Sequence, residues 1–412
     1  MKYGCIGEHL KHSFSKEIHN ALTDYDYEIK EIERDKLGDF ATKAEFSAIN
    51  VTIPYKEEII PYLYSIDDFA KAIGAVNTVV NRDGKLYGYN TDFFGMTSLI
   101  NHAGVEIKGK KVVILGTGGT SKTSLAVSRA LGAREIVRAS RTEREDAVSY
   151  EELYQKHLDA EVIINTTPVG MFPSIFDAPI DISKFEKLSG VIDAVYNPLR
   201  TELILSAKER DIPAEGGLYM LVAQAVRASE IFIDTKYSPD ALESVFRDIT
   251  SQKENIVLIG MPASGKSTVG ELLSNSLNRK LVDTDALIVE KAKKTIPEIF
   301  TEHGEAYFRD LESEVIREVA AMTGVIIATG GGAVLRKENV RELKKNGRLY
   351  FIDRPLDALI PTEDRPLSQT REAIEKRYSE RYGIYCRSAD ERIDASTDAI
   401  GVADLIKRSF LK

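Results

Sequence analysis

Short apolar runs alternate with an amphipathic helical pattern along the first 92 residues. The runs YGCIG, YEIKEIE and SAINVTIP predict strands, and the spacing of apolar positions in FSKEIHNALTDY predicts a helix between the first two. Two alternating runs then flank Asp83 and Gly84 in VNTVVNRDGKLYGY, which is a strong signal for a β-hairpin. The pattern indicates an α/β lobe.

A second pattern follows a helical run at 93–104. The stretch 110–140 contains an apolar strand, a glycine-rich turn, a helix and another strand, which together form the first βαβ unit of a dinucleotide-binding fold. Further strands are predicted at EVIIN and GVIDAVY, and helices at 217–233 and 239–250. We therefore predict a two-lobed domain over 1–250, with a Rossmann lobe at 93–217 and a substrate lobe made of 1–92 and 218–250.

A third pattern begins after the polar run SQKEN at 251–255, which we predict to be a linker. The strand IVLIG leads into a glycine-rich loop, and the helical pattern TVGELLSNSL follows it. This order predicts a separate domain at 256–412, with a parallel sheet flanked by helices. The fold class is therefore α/β in both domains.

Composition narrows the classes of function. The chain has 412 residues, 43% of them hydrophobic, and a net charge of −9, which argues against a nucleic-acid partner. Two distant cysteines suit a reducing compartment, the N-terminus does not resemble a signal peptide, and no apolar run approaches the length of a membrane span. The six histidines form no ligand cluster in the sequence, so no zinc is expected. We expect a cytoplasmic protein that acts on small molecules, while its oligomeric state is left open.

The stretch LIGMPASGKST at 258–268 completes the phosphate-loop pattern G-x-x-x-x-G-K-[ST] in the strand–loop–helix context that this motif requires. Backbone N–H groups of such a loop hold phosphate oxygens, its lysine reaches the outer phosphates, and its serine binds Mg²⁺. The residues predicted to bind ATP and Mg²⁺ are Gly260, Ala263, Ser264, Gly265, Lys266, Ser267 and Thr268.

The glycine-rich turn at 116–121 matches the dinucleotide fingerprint in part, because Ser121 stands at its third position. No acid follows the next strand, where NAD-binding proteins carry one, and arginines lie there instead. These arginines favour the 2′-phosphate of NADP over NAD, unless they form a solvated face. The predicted contacts are Gly116, Thr117, Gly118, Gly119, Thr120, Ser140, Arg141 and Thr142, with Arg138 and Arg144 nearby.

Lys56 in NVTIPYK and Asp92 in GYNTD each follow a predicted strand, where site residues collect. A lysine beside a carboxylate can hold and relay a proton during hydride transfer to a carbonyl. Spacing alone does not pair these two residues, and a lysine after a strand is usually solvated.

Eight stretches between Lys2 and about Thr250 resemble the shikimate dehydrogenase family, in that family's order: HSFSKEIHN, NVTIPYK, GAVNT, NTD, LGTGGTS, INTTPVGM, DAVYNPLRT and GGLYMLVAQA. The resemblance implies reduction of 3-dehydroshikimate by NADPH, with Lys56 and Asp92 as the catalytic pair. The implied substrate contacts are Ser13, Ser15, Thr52, Asn77, Tyr196 and Gln224. Those implied on the nicotinamide side are Asn165, Thr167, Met171 and Gly217.

Three positions depart from that family's pattern. Thr117 replaces an alanine in the turn, Ser140 replaces an asparagine before Arg141, and Tyr219 stands where glycine is common. The tyrosine is expected to place bulk near the nicotinamide end.

Polar residues also follow the strands of the second domain. Asp283 and Asp285 stand in LVDTDALI, Arg309 and Glu312 in YFRDLE, and a glycine run at 330–332 follows VIIAT. One carboxylate can serve Mg²⁺ through water while the other meets a substrate hydroxyl. Three consecutive glycines let the backbone lie against a ligand.

Together these residues resemble the shikimate kinase family over Ile256 to Lys412. The resemblance implies that Asp285 holds the ring hydroxyls and takes a proton, and that Arg309 and Arg381 bind the carboxylate. It further implies that Gly330, Gly331 and Gly332 line the shikimate pocket, that Ser267 and Asp283 serve the metal, and that Arg365 on a mobile lid steadies the transferring phosphate. The lid stretch at 354–369 is short and contains Pro361.

The leading hypothesis is therefore a bifunctional enzyme that catalyses two consecutive steps. A second hypothesis is an NAD-dependent quinate or shikimate dehydrogenase joined to a kinase for another polyol. A third is a shikimate-sensing regulator without turnover, although every catalytic position is filled and no basic helix-turn-helix segment is present.

Overall fold

The computed structural model describes residues 1–8, 10, 14–142, 144–359 and 370–411. Contacts divide the chain into two compact units, Met1–Ile249 and Thr250–Lys412. Within the described residues, no helix is both long enough and apolar enough to cross a lipid bilayer.

The first sheet has six strands in the order β2-β1-β3-β5-β6-β4. Strand β1 lies parallel to both β2 and β3, whereas β5 runs antiparallel to β3 and β6. The strands are β1 (Tyr3–Gly7), β2 (Tyr27–Glu31), β3 (Ala48–Val51), β4 (Ser65–Ile66), β5 (Thr78–Arg82) and β6 (Lys85–Tyr89). The helices among them are α1 (Ser15–Leu22), α2 (Leu37–Lys43), α3 (Tyr55–Glu58) and α4 (Asp68–Ile73).

The predicted hairpin is confirmed between β5 and β6. Its two turn residues, Asp83 and Gly84, have φ values of 52° and 81°, as the tight hairpin turn with two positive φ angles requires. The side-chain oxygen of Asn81 accepts the N–H of Gly84 at 2.9 Å, which closes the turn.

The second sheet is parallel throughout, in the order β12-β11-β10-β7-β8-β9. Its strand order reverses around β7, as in doubly wound dinucleotide-binding folds. The strands are β7 (Lys111–Leu115), β8 (Glu135–Ser140), β9 (Val148–Ser149), β10 (Val162–Asn165), β11 (Gly190–Asp193) and β12 (Ala214–Glu215). The helices are α5 (Asp92–His102), α6 (Gly119–Ala130), α7 (Tyr150–Lys156), α8 (Glu202–Lys208), α9 (Leu218–Ile233) and α10 (Ala241–Lys253).

The sheet of the second unit is also parallel, in the order β14-β15-β13-β16-β17. Apolar side chains cover both of its faces, one under α13 and α15 and the other under α11 and α16. The strands are β13 (Asn255–Ile259), β14 (Leu281–Asp283), β15 (Ile326–Ala328), β16 (Gly347–Asp353) and β17 (Glu391–Asp394). The helices are α11 (Lys266–Leu277), α12 (Thr284–Ala292), α13 (Ile296–Ala320), α14 (Lys337–Asn346), α15 (Arg371–Ser388) and α16 (Ala399–Phe410).

The stretch predicted as a linker, 251–255, is almost entirely regular structure. Helix α10 continues to Lys253, the N–H of Glu254 still donates to the carbonyl of Thr250 at 2.8 Å, and β13 begins at Asn255. The first three residues of the polar run belong to the last turn of an amphipathic helix, which buries Val245 and Ile249 on its other side. The last two, Glu254 and Asn255, are buried polar residues at the start of β13.

Candidate active sites

A cavity of about 170 Å³ in the first unit is lined by residues from the first sheet, from α9 and from segments that adjoin the second sheet. We call it the reductase cleft. Nine of the predicted site residues line it: Ser15, Thr52, Lys56, Asn77, Asp92, Thr120, Tyr196, Gly217 and Gln224. The sequence separates these residues widely, and the fold brings them to one place.

Lys56 and Asp92 form an ion pair in this cleft. Lys56 lies in α3 just after β3, Asp92 begins α5, and Nζ of Lys56 is 2.6 Å from Oδ2 of Asp92. Their side chains are 20% and 10% exposed, so the pair is sheltered but reaches the cavity. The side-chain amide of Asn77 donates to the other carboxylate oxygen at 2.9 Å. This arrangement can hold a proton at a fixed point beside a bound carbonyl.

Asn77 is itself held in place by its neighbours. Its side-chain oxygen accepts the N–H of Thr91 at 2.8 Å, and the side-chain amide of Asn50 donates to its carbonyl at 3.3 Å. Tyr27 donates in turn to the side-chain oxygen of Asn50 at 2.7 Å. Asn50 lines the cleft and was not among the predicted residues, although an asparagine within the otherwise apolar run SAINV is a signal that could have found it.

The dinucleotide turn connects β7 to α6. At Gly116 φ is 105°, and a Cβ there would lie 2.8 Å from Oγ1 of Thr166, so a side chain does not fit. Gly118 and Gly119 face open space, and this leaves the start of α6 accessible to a phosphate. Ser121, at the third fingerprint position, donates to the carbonyl of Gly116 at 2.7 Å and so closes the turn.

The three arginines near the end of β8 differ in their contacts. Arg138 donates to Oγ of Ser121 and to the carbonyl of Thr117, each at 3.3 Å, and pairs with Asp146. Arg141 and Arg144 are exposed. Ser140 and Thr142 form a local turn in which the N–H of Thr142 donates to Oγ of Ser140 at 3.2 Å.

A buried carboxylate organises the residues expected on the nicotinamide side. Asp193 accepts from the side-chain amide of Asn165 at 2.9 Å and from the hydroxyl of Thr201 at 2.6 Å, and burial raises its pKa to about 6. Thr167 donates both its N–H and its hydroxyl to the side-chain oxygen of Asn165, at 3.0 and 2.7 Å. Met171 is 44% exposed.

Tyr219 does not line the cleft, which corrects the expectation that it adds bulk near the nicotinamide end. Its ring stacks on His102 with centroids 3.9 Å apart and packs edge-on against Phe246, while its hydroxyl donates to Glu243 at 2.5 Å. The 3.6-residue helical period of α9 turns this position away from Met220, which does line the cleft.

The phosphate loop of the second unit lies between β13 and α11. Gly260, Ala263 and Gly265 have positive φ values of 153°, 64° and 92°. Lys266 is buried, and its Nζ donates to the carbonyls of Gly260 and Met261, each at 2.9 Å. Ser264 is buried in the loop, while Ser267 and Thr268 are exposed at the start of α11.

Asp283 joins the phosphate loop to the neighbouring helix. Its Oδ2 accepts the hydroxyl of Ser267 at 3.0 Å. Its Oδ1 accepts the N–H groups of Asp285 and Ala286, at 2.9 and 3.3 Å, and so caps the start of α12. The two residues predicted for the metal are therefore adjacent.

Each glycine of the run after β15 leaves room for a different group. A Cβ on Gly330 would lie 2.5 Å from Oδ1 of Asp285 and 2.9 Å from Oε1 of Glu312. A Cβ on Gly331 would lie 2.8 Å from the ring of Pro262 in the phosphate loop, and one on Gly332 would lie 2.0 Å from the guanidinium of Arg309. The predicted acceptor residues and the phosphate loop therefore all adjoin this glycine run.

The two predicted carboxylate-binding arginines are buried beside the glycine run. Arg309 pairs with Glu312 at 2.8 Å and with Glu305 at 3.0 Å, and Arg381 donates to the carbonyl of Gly331 at 3.1 Å. Burial raises the pKa of Glu312, with Arg309 opposing the shift. Oε1 of Glu312 is buried and has no hydrogen-bond partner within the described residues. The sequence motif contained Glu312, but it gave no sign of this position beside Asp285.

Two predicted site residues, Ser13 and Arg365, lie outside the described residues. The structure therefore adds nothing to what the sequence predicts for them.

Fold and sites together define two classes of enzyme in one chain: a two-lobed oxidoreductase with a dinucleotide-binding lobe, and a P-loop phosphotransferase. Comparison with known proteins agrees. The model of the shikimate dehydrogenase substrate-binding domain matches residues 5–79, and the model of shikimate kinase matches residues 262–409.

Relatives of known sequence and structure match the first unit. The chain is 36% identical to shikimate dehydrogenase (NADP(+)) of Clostridium beijerinckii over 60% of its own length and 98% of that protein. The crystal structure of shikimate dehydrogenase 1 from Peptoclostridium difficile matches with 36% sequence identity and a TM-score of 0.56, over 60% of this chain and 98% of that one. A chorismate mutase/shikimate 5-dehydrogenase fusion protein from Clostridium acetobutylicum matches at 34% identity and a TM-score of 0.57, over 60% of this chain and 96% of that one. The chain belongs to the shikimate dehydrogenase family and carries a shikimate kinase domain after it.

Proposed function

We propose that the chain reduces 3-dehydroshikimate to shikimate with NADPH and then phosphorylates shikimate with ATP. The observation that supports this most directly is the placement of the predicted residues. Nine of them line the reductase cleft around the 2.6 Å Lys56–Asp92 pair. In the second unit, the glycine run adjoins Asp285, Arg309 and the phosphate loop.

In the reduction, bound NADPH supplies the hydride, and the chain supplies orientation and a proton. Lys56 holds a proton at the carbonyl oxygen, which becomes the new hydroxyl. The ion pair with Asp92 directs the lysine ammonium into the cleft. Thr52, Asn77 and Gln224 bind ring hydroxyls, and the serine hydroxyls at 13 and 15, with Tyr196, meet the substrate carboxylate.

Cofactor selection in this proposal rests on the arginine at the end of β8. Arg141 is exposed there, so its guanidinium is accessible to a 2′-phosphate. Arg138 is already engaged by the turn and by Asp146, which makes it a support for the turn instead. Asn165 and Thr167, held by Asp193, face the nicotinamide side together with Met171.

In the phosphorylation, Arg309 and Arg381 bind the carboxylate of shikimate and Asp285 accepts the proton of the reacting hydroxyl. Lys266 neutralises charge on the transferring phosphate, and Arg365 assists it. Ser267 and Asp283 would hold Mg²⁺. A hydroxyl plus one carboxylate suits Mg²⁺, which keeps several waters and substrate oxygens as ligands.

The test supplies the intact protein with 3-dehydroshikimate, NADPH and ATP–Mg²⁺ and follows the products by mass. We expect shikimate 3-phosphate, with free shikimate appearing transiently. Lys266→Ala should stop the sequence at shikimate while NADPH is still consumed. Arg381→Ala should raise the KM for shikimate about tenfold or more, because a lost charged contact typically costs about 1.5–3 kcal/mol. A wild-type mixture that stops at shikimate while the second unit phosphorylates another polyol would refute the acceptor assignment.

A further inference from the structure

Arg354 lies beside the phosphate loop, directly after β16. A Cβ built on Gly265, the residue before Lys266, would be 3.8 Å from Nη1 of Arg354. Strand β16 also lies against the start of the loop, since a Cβ on Gly260 would lie 2.9 Å from the carbonyl oxygen of Ile352. The guanidinium therefore adjoins the part of the loop whose N–H groups converge on phosphate oxygens.

The charge of Arg354 is not neutralised by the acids next to it in the chain. Asp353 is paired with Arg392 at 2.5 Å, and Asp357 with Arg371 at 2.9 Å. Within the described ranges no carboxylate pairs with Arg354, and its one hydrogen bond runs from Nε to the carbonyl of Ala358 at 3.3 Å. The side chain is half-buried. Its two terminal nitrogens thus remain able to donate.

We propose that Arg354 binds the phosphate groups of the nucleotide donor. This inference rests on the proposed function only in that the loop holds a nucleotide; it does not depend on the acceptor. A planar guanidinium can give two parallel hydrogen bonds to phosphate oxygens, whereas the ammonium of Lys266 acts as a point charge. The bond from Nε to Ala358 fixes the orientation of the fork, so less rotamer freedom is lost on binding.

The sequence alone does not indicate a role for Arg354. The tetrapeptide DRPL occurs at 353–356 and again at 364–367. The resemblance to kinases gives a role to Arg365 in the second copy. Only the position of the first copy beside Gly265 indicates a role for Arg354.

The test measures the affinity of the full chain for MgADP by titration calorimetry. Arg354→Gln should raise the Kd about tenfold or more, as the loss of a charged hydrogen bond predicts, and Arg354→Lys should recover part of the loss. The matched control is Arg387→Gln, which removes the same charge from an exposed position late in α15. The control should leave the Kd unchanged, and all three variants should keep the wild-type rate of NADPH oxidation.

Three outcomes would overturn the proposal. The first is a Kd for MgADP within twofold of wild type in Arg354→Gln. The second is a loss shared by the Arg387→Gln control. The third is an equal loss in the Lys and Gln variants with a lowered Tm, which would assign Arg354 to the integrity of the turn at 354–358. If the wild type binds MgADP but phosphorylates a different acceptor, the proposed function fails while this inference stands.

Discussion

The glycine at 330 offers the sharpest test of the kinase site, because replacing it with alanine adds one methyl group at a known place. That methyl carbon would lie 2.5 Å from Oδ1 of Asp285 and 2.9 Å from Oε1 of Glu312. Ordinary contacts between heavy atoms are near 3.5 Å, so the Asp285 carboxylate must move by about 1 Å. Gly330 is not among the glycines with positive φ, and alanine therefore adds no backbone strain.

A misplacement of about 1 Å at a reacting group can cost about 10²-fold in rate, which corresponds to about 2.7 kcal/mol. We therefore expect Gly330→Ala to lower kcat/KM for shikimate phosphorylation about 100-fold, measured by coupled ADP release. The rate of NADPH oxidation with 3-dehydroshikimate should be unchanged, because that chemistry belongs to the other unit.

The matched control is Gly383→Ala, inside α15. A Cβ there meets only the end of the flexible Arg387 side chain, at 3.1 Å, and alanine favours a helix by about 0.5–1 kcal/mol. Phosphorylation by this variant should equal that of the wild type. A kcat/KM for Gly330→Ala within threefold of wild type would show that Asp285 does not need the position we describe.

Three further predictions concern the first unit. Lys56→Ala and Asp92→Asn should each lower NADPH oxidation roughly 10²–10⁴-fold and leave shikimate phosphorylation intact; a near-normal reduction rate in both would contradict the proton-relay role. Arg141→Ala should reduce kcat/KM for NADPH and spare NADH, and an unchanged ratio between the two cofactors would place the selection elsewhere. Burial lowers the pKa of His19 to about 3, whereas an unfolded histidine titrates near 6.5. The free energy of unfolding is therefore unaffected by this histidine above about pH 6.5. It decreases by about 1.4 kcal/mol per pH unit as the pH falls from there toward 3, because the unfolded chain binds a proton that the folded chain does not. Urea unfolding at several pH values should show this slope, and His19→Gln should flatten it.

Local chemistry made much of the architecture predictable. Asp83 and Gly84 fixed the hairpin because few other pairs accept two positive φ angles. The phosphate loop was recognisable because the pattern that ends in Lys266 and Ser267 lay between an apolar strand and a helix. In both cases the structural requirement falls on adjacent residues.

Contacts across the chain were not predictable in this way. Lys56 and Asp92 are 36 residues apart, and only the packing of β3 against the β5–β6 hairpin brings them together. Tyr219 is expected near the nicotinamide end because the motif around it faces the cleft. In the structure, the rotation of successive residues about the axis of α9 instead directs its ring onto His102. The run at 251–255 is polar although Glu254 and Asn255 within it are buried, and a polar composition does not distinguish the end of a helix and the start of a strand from a loop.

Asp283 has a consequence for the way related sequences are interpreted. One of its oxygens caps α12 and the other accepts a hydrogen bond from Ser267, so selection for a properly started helix and selection for the proposed metal site would act on the same side chain. A descendant that lost phosphoryl transfer would still be under pressure to retain an acid or amide there, since losing an N-cap typically costs about 1 kcal/mol. Conservation of this aspartate among relatives would therefore be weak evidence for an active kinase. Conservation of the glycine at 330 would be stronger evidence, because a side chain there would displace the Asp285 carboxylate that is proposed to meet the substrate.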